Sequence, residues 1–173
     1  IFKSKEEIHG VVLKGVDVGY DVVFFRENLK EGKMPDFKTE RASNEILISA
    51  SVSDMLEIGV GGKVTAHFVQ DPPRARVFTV AGIYDTGFKE YDDVMVLVDE
   101  RHLAKLNDWG PGAVSGIAIE LENVERLNEV VEEVENVVYD ASGNYEVQTL
   151  ADVAPQIFDW LALLNMNVWV ILI

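Results

Sequence analysis

The sequence has no cysteine and few basic residues, and these two shortages exclude several classes of protein. Its 173 residues include 15 Lys and Arg, 30 Asp and Glu and no Cys, which gives a formal net charge of −15. Without Cys, the chain can form no disulfide framework and can hold no thiol nucleophile. A strongly acidic surface repels the phosphates of nucleic acids and of anionic lipids. We therefore expect no nucleic-acid partner, and a surface that is acidic and well solvated.

Motifs for ATP hydrolysis and for common enzymatic chemistry are also missing. The glycine-rich segment 59–62 leads into a predicted strand, and no Lys-Ser/Thr pair follows it, so it is not a phosphate-binding loop. Glu90–Asp93 contains three carboxylates, but their spacing matches no calcium loop. Two further groups lack the spacing of a metal site or of a nucleophile elbow: His9, His67 and His102, and Ser49, Ser51 and Ser53. We expect a non-enzymatic chain with no cofactor and no metal.

The residues that are present predict a mixed α+β fold. Hydrophobic residues make up 48% of the chain, which is enough for a substantial core. Apolar runs and alternation predict strands at residues 8–13, 46–48, 64–69, 76–84, 94–98, 116–121 and 145–147. Helical spacing and capping residues predict helices from residue 22, at 55–57 after Ser53 or Asp54, at 99–106, at 123–136 and from residue 150. Residues 30–44 contain few apolar side chains and are predicted to form a loop.

The order of these elements suggests two lobes. Residues 1–40 and 113–155 are predicted to form a mixed α/β lobe. Residues 41–112 are predicted to form a β-rich lobe that is inserted into the first one.

One short segment of the predicted inserted lobe is a candidate for partner binding. Asp71-Pro72-Pro73-Arg74 is predicted to be a hairpin tip, because two consecutive prolines cannot continue a strand ladder. Arg74 and Arg76 place two cations at this tip of an otherwise acidic protein. The four candidate binding residues are Pro72, Pro73, Arg74 and Arg76. They form either an ordinary turn or a rigid docking site for an acidic or edge-exposing partner.

The last residues of the sequence are strongly apolar. From Trp160 to Ile173 there is no Lys, Arg, Asp or Glu. A transmembrane helix needs roughly 20 mostly apolar residues, and Trp favours the boundary between water and lipid. Residues 156–173 are therefore predicted to begin a transmembrane helix that continues beyond the sequence. A buried C-terminal core helix is the alternative.

Several segments in the same order resemble the extracytoplasmic domain of ABC transporter permeases of the MacB/FtsX type. The similar segments are residues 12–17 with Tyr20-Asp21, Asn44–Ser49, Asp54–Val64, Phe78–Ile83, Glu90–Asp92 and the strand at 94–98. Together with the apolar terminus, the resemblance covers most of residues 10–173. The segment Gly87–Asp92 is most similar to permeases of the lipoprotein-releasing system.

The resemblance implies a two-lobed, MacB-like periplasmic core domain whose first lobe is porter-like, anchored in the inner membrane. ATP hydrolysis would occur on a separate cytoplasmic ABC ATPase. Within the membrane the permease would pair with a second copy of itself or with a paralogue. The cargo would be lipoproteins, which leave the membrane for a soluble periplasmic carrier. By position, residues 70–76 would be the hairpin that binds this carrier. The helix after Leu150 would couple ATP-driven motion to the periplasmic lobes.

Three alternatives remain open at the level of the sequence. A MacB-like efflux permease for drugs, peptides or toxins would use the hairpin to contact a periplasmic adaptor. A soluble binding or adhesion module would have a parent gene that ends near Ile173. A soluble enzyme has the least support, because no constellation of catalytic groups is present.

Overall fold

Two strongly apolar strands lie at the centre of the fold. In a computed structural model of the chain, Glu45–Ser49 and Met95–Asp99 are neighbouring strands, and almost every residue of both is buried. Strands that are covered on both faces have near-continuous apolar sequences, and both of these do. The structure describes residues 1–4, 7–110, 112–140, 145–153 and 155. It divides the chain into two compact units, Ile1–Gly116 and Ile117–Ile173.

The first unit contains a mixed eight-stranded sheet. Its strands are β1 (Phe2–Lys3), β2 (Ile8–His9), β3 (Val12–Val16), β4 (Leu29–Gly32), β5 (Glu45–Ser49), β6 (Lys63–Phe68), β7 (Arg74–Tyr84) and β8 (Met95–Asp99). The order across the sheet is β2-β1-β6-β7-β5-β8-β3, and β4 also pairs with β7. The pairs β3–β8 and β5–β7 are parallel, and the other pairs are antiparallel.

Four short helices connect the strands of the first unit. They are α1 (Val23–Glu27), α2 (Ala50–Leu56), α3 (Lys89–Asp92) and α4 (Glu100–Leu106). Helix α4 begins as predicted, because the Asp99 carboxylate accepts a hydrogen bond from Arg101 N–H (3.0 Å). Helix α2 begins earlier than predicted. Its N-cap is Ser49, whose hydroxyl accepts from Val52 N–H (3.0 Å), and not Ser53 or Asp54.

Residues 1–40 and 41–112 share the sheet of the first unit. Strand β3 pairs along five residues with β8, and β4 lies beside β7. These pairings join the two ranges within one sheet. The division into a lobe of residues 1–40 and 113–155 and an inserted lobe of residues 41–112 stays a prediction. Residues 30–32 were expected in a loop and belong to β4 instead, because Leu29 and Gly32 find ladder partners, Tyr84 and Gly82, on a strand far along the chain.

The core lies on both faces of the sheet. Alternate residues of β5 point to opposite sides, so Ile46 and Ile48 join one cluster and Leu47 joins the other. The first cluster includes Phe78, and the second includes Tyr84. The Tyr84 hydroxyl donates to Met95 O (2.9 Å), and burial raises the pKa of this phenol far above its usual range. Alternate side chains of this one strand thus contribute to the core on both faces of the sheet.

The second unit contains a 3₁₀ turn at Val124–Arg126, helix α5 (Leu127–Asp140) and helix α6 (Leu150–Val153). Asn123 caps this helical region as predicted, with its side-chain oxygen accepting from Glu125 N–H (2.8 Å). The predicted strands at 116–121 and 145–147 are wrong, since both segments are without regular structure. Alternating Ile117 and Ile119 favour a strand locally, but a strand forms only where a neighbouring strand accepts its hydrogen bonds.

Within the described ranges, no helix has the length and apolar character needed to cross a bilayer. The predicted start of a transmembrane helix at residues 156–173 lies outside the described residues.

Candidate partner-docking hairpin

Strands β6 and β7 form the hairpin that the Pro-Pro motif predicted. Six residues of each strand pair without interruption, from Lys63 opposite Thr79 to Phe68 opposite Arg74. The inner face carries Val64, Ala66 and Phe78, all buried. This apolar face attaches the base of the hairpin to the core, and residues 69–73 form its tip.

The residues of the tip are largely exposed. Val69 is 88% exposed, and Asp71, Pro72 and Pro73 are also exposed. The peptide bond between Asp71 and Pro72 is cis. Proline rings have few conformations to lose when a partner binds, so the ordering cost of binding this tip is small. The structure thus places Pro72 and Pro73 where a partner can contact them.

Arg74 has a different environment from the prolines. Its guanidinium donates to the carbonyls of Lys105 (3.0 Å) and Leu106 (3.2 Å), and it approaches the Asp108 carboxylate at 3.4 Å. These carbonyls end helix α4, where no amide of the helix itself can satisfy them. Arg74 therefore fastens the start of β7 to the C-terminal end of α4. Any binding by its charge has to compete with this internal contact.

Arg76 lies two residues further along β7 and is half-buried. It has no ion pair or side-chain hydrogen bond with any residue that the structure describes. Its charge is therefore available to a partner, in contrast to that of Arg74. The two cations that the sequence grouped together thus differ in what they can do.

The base of the hairpin is held in place by a buried histidine. His102 on α4 packs edge-on against Phe78, with ring centroids 5.2 Å apart. Its Nε2 lies 2.9 Å from the carbonyl oxygen of Ser43. His102 is therefore a structural residue that joins α4, the hairpin and the segment before β5.

A buried carboxylate beside this histidine organises the same region. Asp99 is 1% exposed and accepts from Ser43 N–H (2.8 Å) and from Arg101 Nε (2.8 Å) and Nη2 (2.5 Å). Burial raises the pKa of Asp99, but hydrogen bonds from Arg101 and from backbone amides outweigh it and hold the pKa below its usual range. Arg101 also donates to the carbonyls of Phe37 (3.2 Å) and Thr39 (2.8 Å). This network lines an open cleft of about 580 Å³, and its donors and acceptors are used to hold the loop before β5.

His9, Asp92 and Asp93, which were also considered in the sequence, have local structural roles. His9 Nε2 lies 2.7 Å from Asp93 O, and the exposed His67 is on β6. Asp92 is buried and accepts from Thr86 Oγ1 (2.9 Å) and from the amides of Thr86 (3.0 Å) and Gly87 (3.1 Å). Lys89 pairs with Asp93 at 2.8 Å. Across the described part of the chain, no group of three or more His, Asp or Glu side chains is arranged to hold a metal ion.

Comparison with models of protein families identifies the family to which this domain belongs. The model of the MacB-like periplasmic core domain matches residues 2–137, which is most of the chain. The chain belongs to the family of MacB-like periplasmic core domains. A comparison with curated proteins found no match.

Membership in this family has direct consequences. The MacB-like core domain is the periplasmic part of an ABC transporter permease, which works with an ATPase partner. As such a domain, the chain faces the periplasm from the inner membrane. The predicted family and the mixed α+β fold are therefore confirmed. All the segments that carried the resemblance up to residue 98 lie within the matched range.

Sequence reasoning missed two features of the MacB-like domain. The contact of Arg74 with α4 spans 31 residues along the chain, and no local pattern signals it. The environment of Arg76, which has no ion pair with any described residue, depends on the register of β7 with its neighbours. The alternation of apolar Ala75, charged Arg76 and apolar Val77 is typical of a strand, but it does not indicate which partner the charge finds.

Proposed function

We propose that this domain belongs to a permease that releases lipoproteins from the inner membrane to a soluble periplasmic carrier. The resemblance of Gly87–Asp92 to permeases of the lipoprotein-releasing system supports this cargo. The observation that carries the docking part of the proposal is the β6–β7 hairpin, whose base is buried and whose proline tip is exposed. A rigid, protruding tip suits the brief capture of a soluble carrier.

In this proposal the domain catalyses no reaction. It couples ATP-driven motion in the membrane to the transfer of the lipoprotein in the periplasm. ATP binding and hydrolysis on the cytoplasmic ATPase would move the membrane helices of the permease and of its paired copy or paralogue. The first unit would follow as a rigid body, since its sheet has a close-packed core on both faces. In this proposal the hairpin holds the carrier while the lipoprotein passes to it.

Photo-crosslinking in intact cell envelopes tests the proposal. A photoreactive residue replaces Pro73 in the full-length parent permease, because Pro73 is exposed and, unlike the Arg74 side chain, its ring makes no hydrogen bond or ion pair that the substitution would remove. The matched control carries the same residue at Gly59, which is also exposed and lies before β6, at the base of the hairpin. We expect an adduct with a soluble lipoprotein carrier from position 73 and none from position 59.

The other outcomes of the crosslinking separate the alternatives. An adduct with a periplasmic adaptor or an outer-membrane channel would assign the domain to a MacB-like efflux permease for drugs, peptides or toxins. Equal adducts from both positions, or none from either in a correctly inserted permease with its partners present, would overturn the docking role of the tip.

A further inference from the structure

In the first half of β7, the backbone N–H and C=O groups of every second residue point away from β6. Val80 N–H donates to Gly62 O (2.9 Å) on the β6 side of the strand, whereas Thr79 N–H donates to Asn44 O (2.9 Å) on the opposite side. Backbone groups alternate between the two sides of a strand. Ala75 and Val77 therefore point to the same side as Thr79, toward the line of β5.

Among the strands of the described residues, none accompanies β7 on that side at residues 75–77. Strand β5 begins at Glu45, which is the partner of Thr79, so it starts beyond this segment. Among the residues that the structure describes, none makes a hydrogen bond to the N–H or C=O of Ala75 or Val77. Ala75 is exposed and Val77 is 53% exposed. The hairpin therefore presents a short, free sheet edge on the line that β5 would follow.

We propose that this free edge binds an extended segment of the partner protein by strand addition. The inference rests on the proposed docking role of the hairpin and specifies how the partner is recognised. Main-chain hydrogen bonds to Ala75 and Val77 would supply affinity, and side chains at alternate positions would supply specificity. The occupant we infer has an acidic residue opposite Arg76 and apolar residues opposite Ala75 and Val77.

The charge of Arg76 is the reason why we infer an acidic residue in the partner segment. In a ladder, directly opposite residues have their side chains on the same face, and opposite charges there stabilise the pair. Arg76 has no counter-charge among the described residues, so an added strand can provide it. The same rule disfavours a second copy of this chain, because two antiparallel edges centred on residue 76 would place Arg76 opposite Arg76. The net charge of −15 on each copy adds to that repulsion.

Amide hydrogen exchange tests the pairing on the full chain. The probe is a blocked peptide of sequence TVEVT, and its control is TVKVT, which reverses the central charge. At a TVEVT concentration about ten times its Kd, the exchange of the Ala75 and Val77 amides should slow by about tenfold. The Arg76 amide, which already faces β6, should change little. Protection by TVKVT equal to that by TVEVT would overturn the assignment of an acidic partner.

Two variants at one position separate the backbone contribution from the side-chain contribution. Val77→Pro removes an outward N–H that no described residue uses, and edge strands tolerate proline at such a position. This variant should stay folded and bind TVEVT about tenfold more weakly, as read from the Ala75 amide. The control Val77→Ala keeps the N–H and should retain binding to within a few-fold. Unchanged binding by folded Val77→Pro would refute strand addition.

Failure of this inference is distinguishable from failure of the proposed function. A carrier adduct at position 73, together with unprotected Ala75 and Val77 amides, would keep carrier docking and overturn strand addition. Protection of these amides that increases with protein concentration in the absence of peptide would assign the edge to a second copy and also overturn the inference.

Discussion

Replacing Asp99 by Asn should destabilise the domain, although it only exchanges one carboxylate oxygen for an NH2 group. The carboxylate accepts four hydrogen bonds: from Ser43 N–H, and from N–H, Nε and Nη2 of Arg101. An Asn side chain offers one acceptor oxygen and one NH2 group. The oxygen can still cap α4, but the NH2 then faces Ser43 N–H and Arg101 Nη2, which are both donors. Two of the four bonds are therefore lost.

The magnitude follows from these losses. A hydrogen bond to a charged group contributes about 1.5–3 kcal/mol. The Arg101 side chain is 37% exposed, so water replaces part of what it loses, while Asp99 itself is 1% exposed. We expect Asp99→Asn to lower the free energy of unfolding by about 2–4 kcal/mol. Urea unfolding at pH 7 measures it, and Asp54→Asn, an exposed site with the same charge change, should remain within about 0.5 kcal/mol of the parent.

The difference in the free energy of unfolding between the parent and Asp99→Asn should also depend on pH, which provides a second check. Because the folded-state pKa of Asp99 is lowered, its stabilisation is fully present above the usual pKa range of an unfolded Asp. It is lost as the pH falls through the lowered folded-state pKa. The parent should therefore approach the stability of Asp99→Asn in acid, since Asn does not titrate. A difference that is below 1 kcal/mol at pH 7, or that does not shrink in acid, would refute the role assigned to Asp99.

Two further substitutions test contacts of the hairpin and of β7. Arg74→Ala removes the donors that bind Lys105 O and Leu106 O, so the free energy of unfolding should fall by about 1 kcal/mol in urea titrations. An unchanged midpoint would mean that Arg74 is free for a partner. At Gly82 an added Cβ would lie 2.5 Å from Lys33 O, so Gly82→Ala should cost about 1–3 kcal/mol. Gly59→Ala, where no atom lies within 4 Å of the added Cβ, should be nearly neutral, and an equal loss in both variants would contradict the crowding at Gly82.

The sequence predicted the parts of the fold that depend on local or strongly apolar patterns. Strands β5 and β8 stand out because both of their faces are buried, and Asp99 caps α4 within its own segment. It failed at residues 116–121, where alternating Ile117 and Ile119 have no neighbouring strand among the described residues. It also misplaced the cap of α2, because Ser49 belongs to the apolar run of β5 as well as to the start of the helix.

The candidate docking hairpin also has one part that could be predicted from the sequence and one part that could not. Pro72 and Pro73 cannot continue a strand ladder, so the tip of the hairpin between two predicted strands was predictable. The separate environments of Arg74 and Arg76 were not, because α4 reaches Arg74 only after the chain has folded. The free edge at Ala75 and Val77 depends on the point where β5 begins, which is a property of the whole sheet.

Strand β7 has a mechanical consequence for the way this domain responds to force. Its 11 residues run without a break from Arg74 to Tyr84, and at ~3.4 Å per residue they span about 35 Å. The first half bears the tip, and the second half is clamped between β4 and β5. A pull on a bound carrier would act along this strand, whose register with β5 shifts between Val80 and Gly82, so that Ala81 has no partner in β5. The load would therefore reach the centre of the sheet as shear on the β5 ladder, with the irregular pairing at Ala81 in its path.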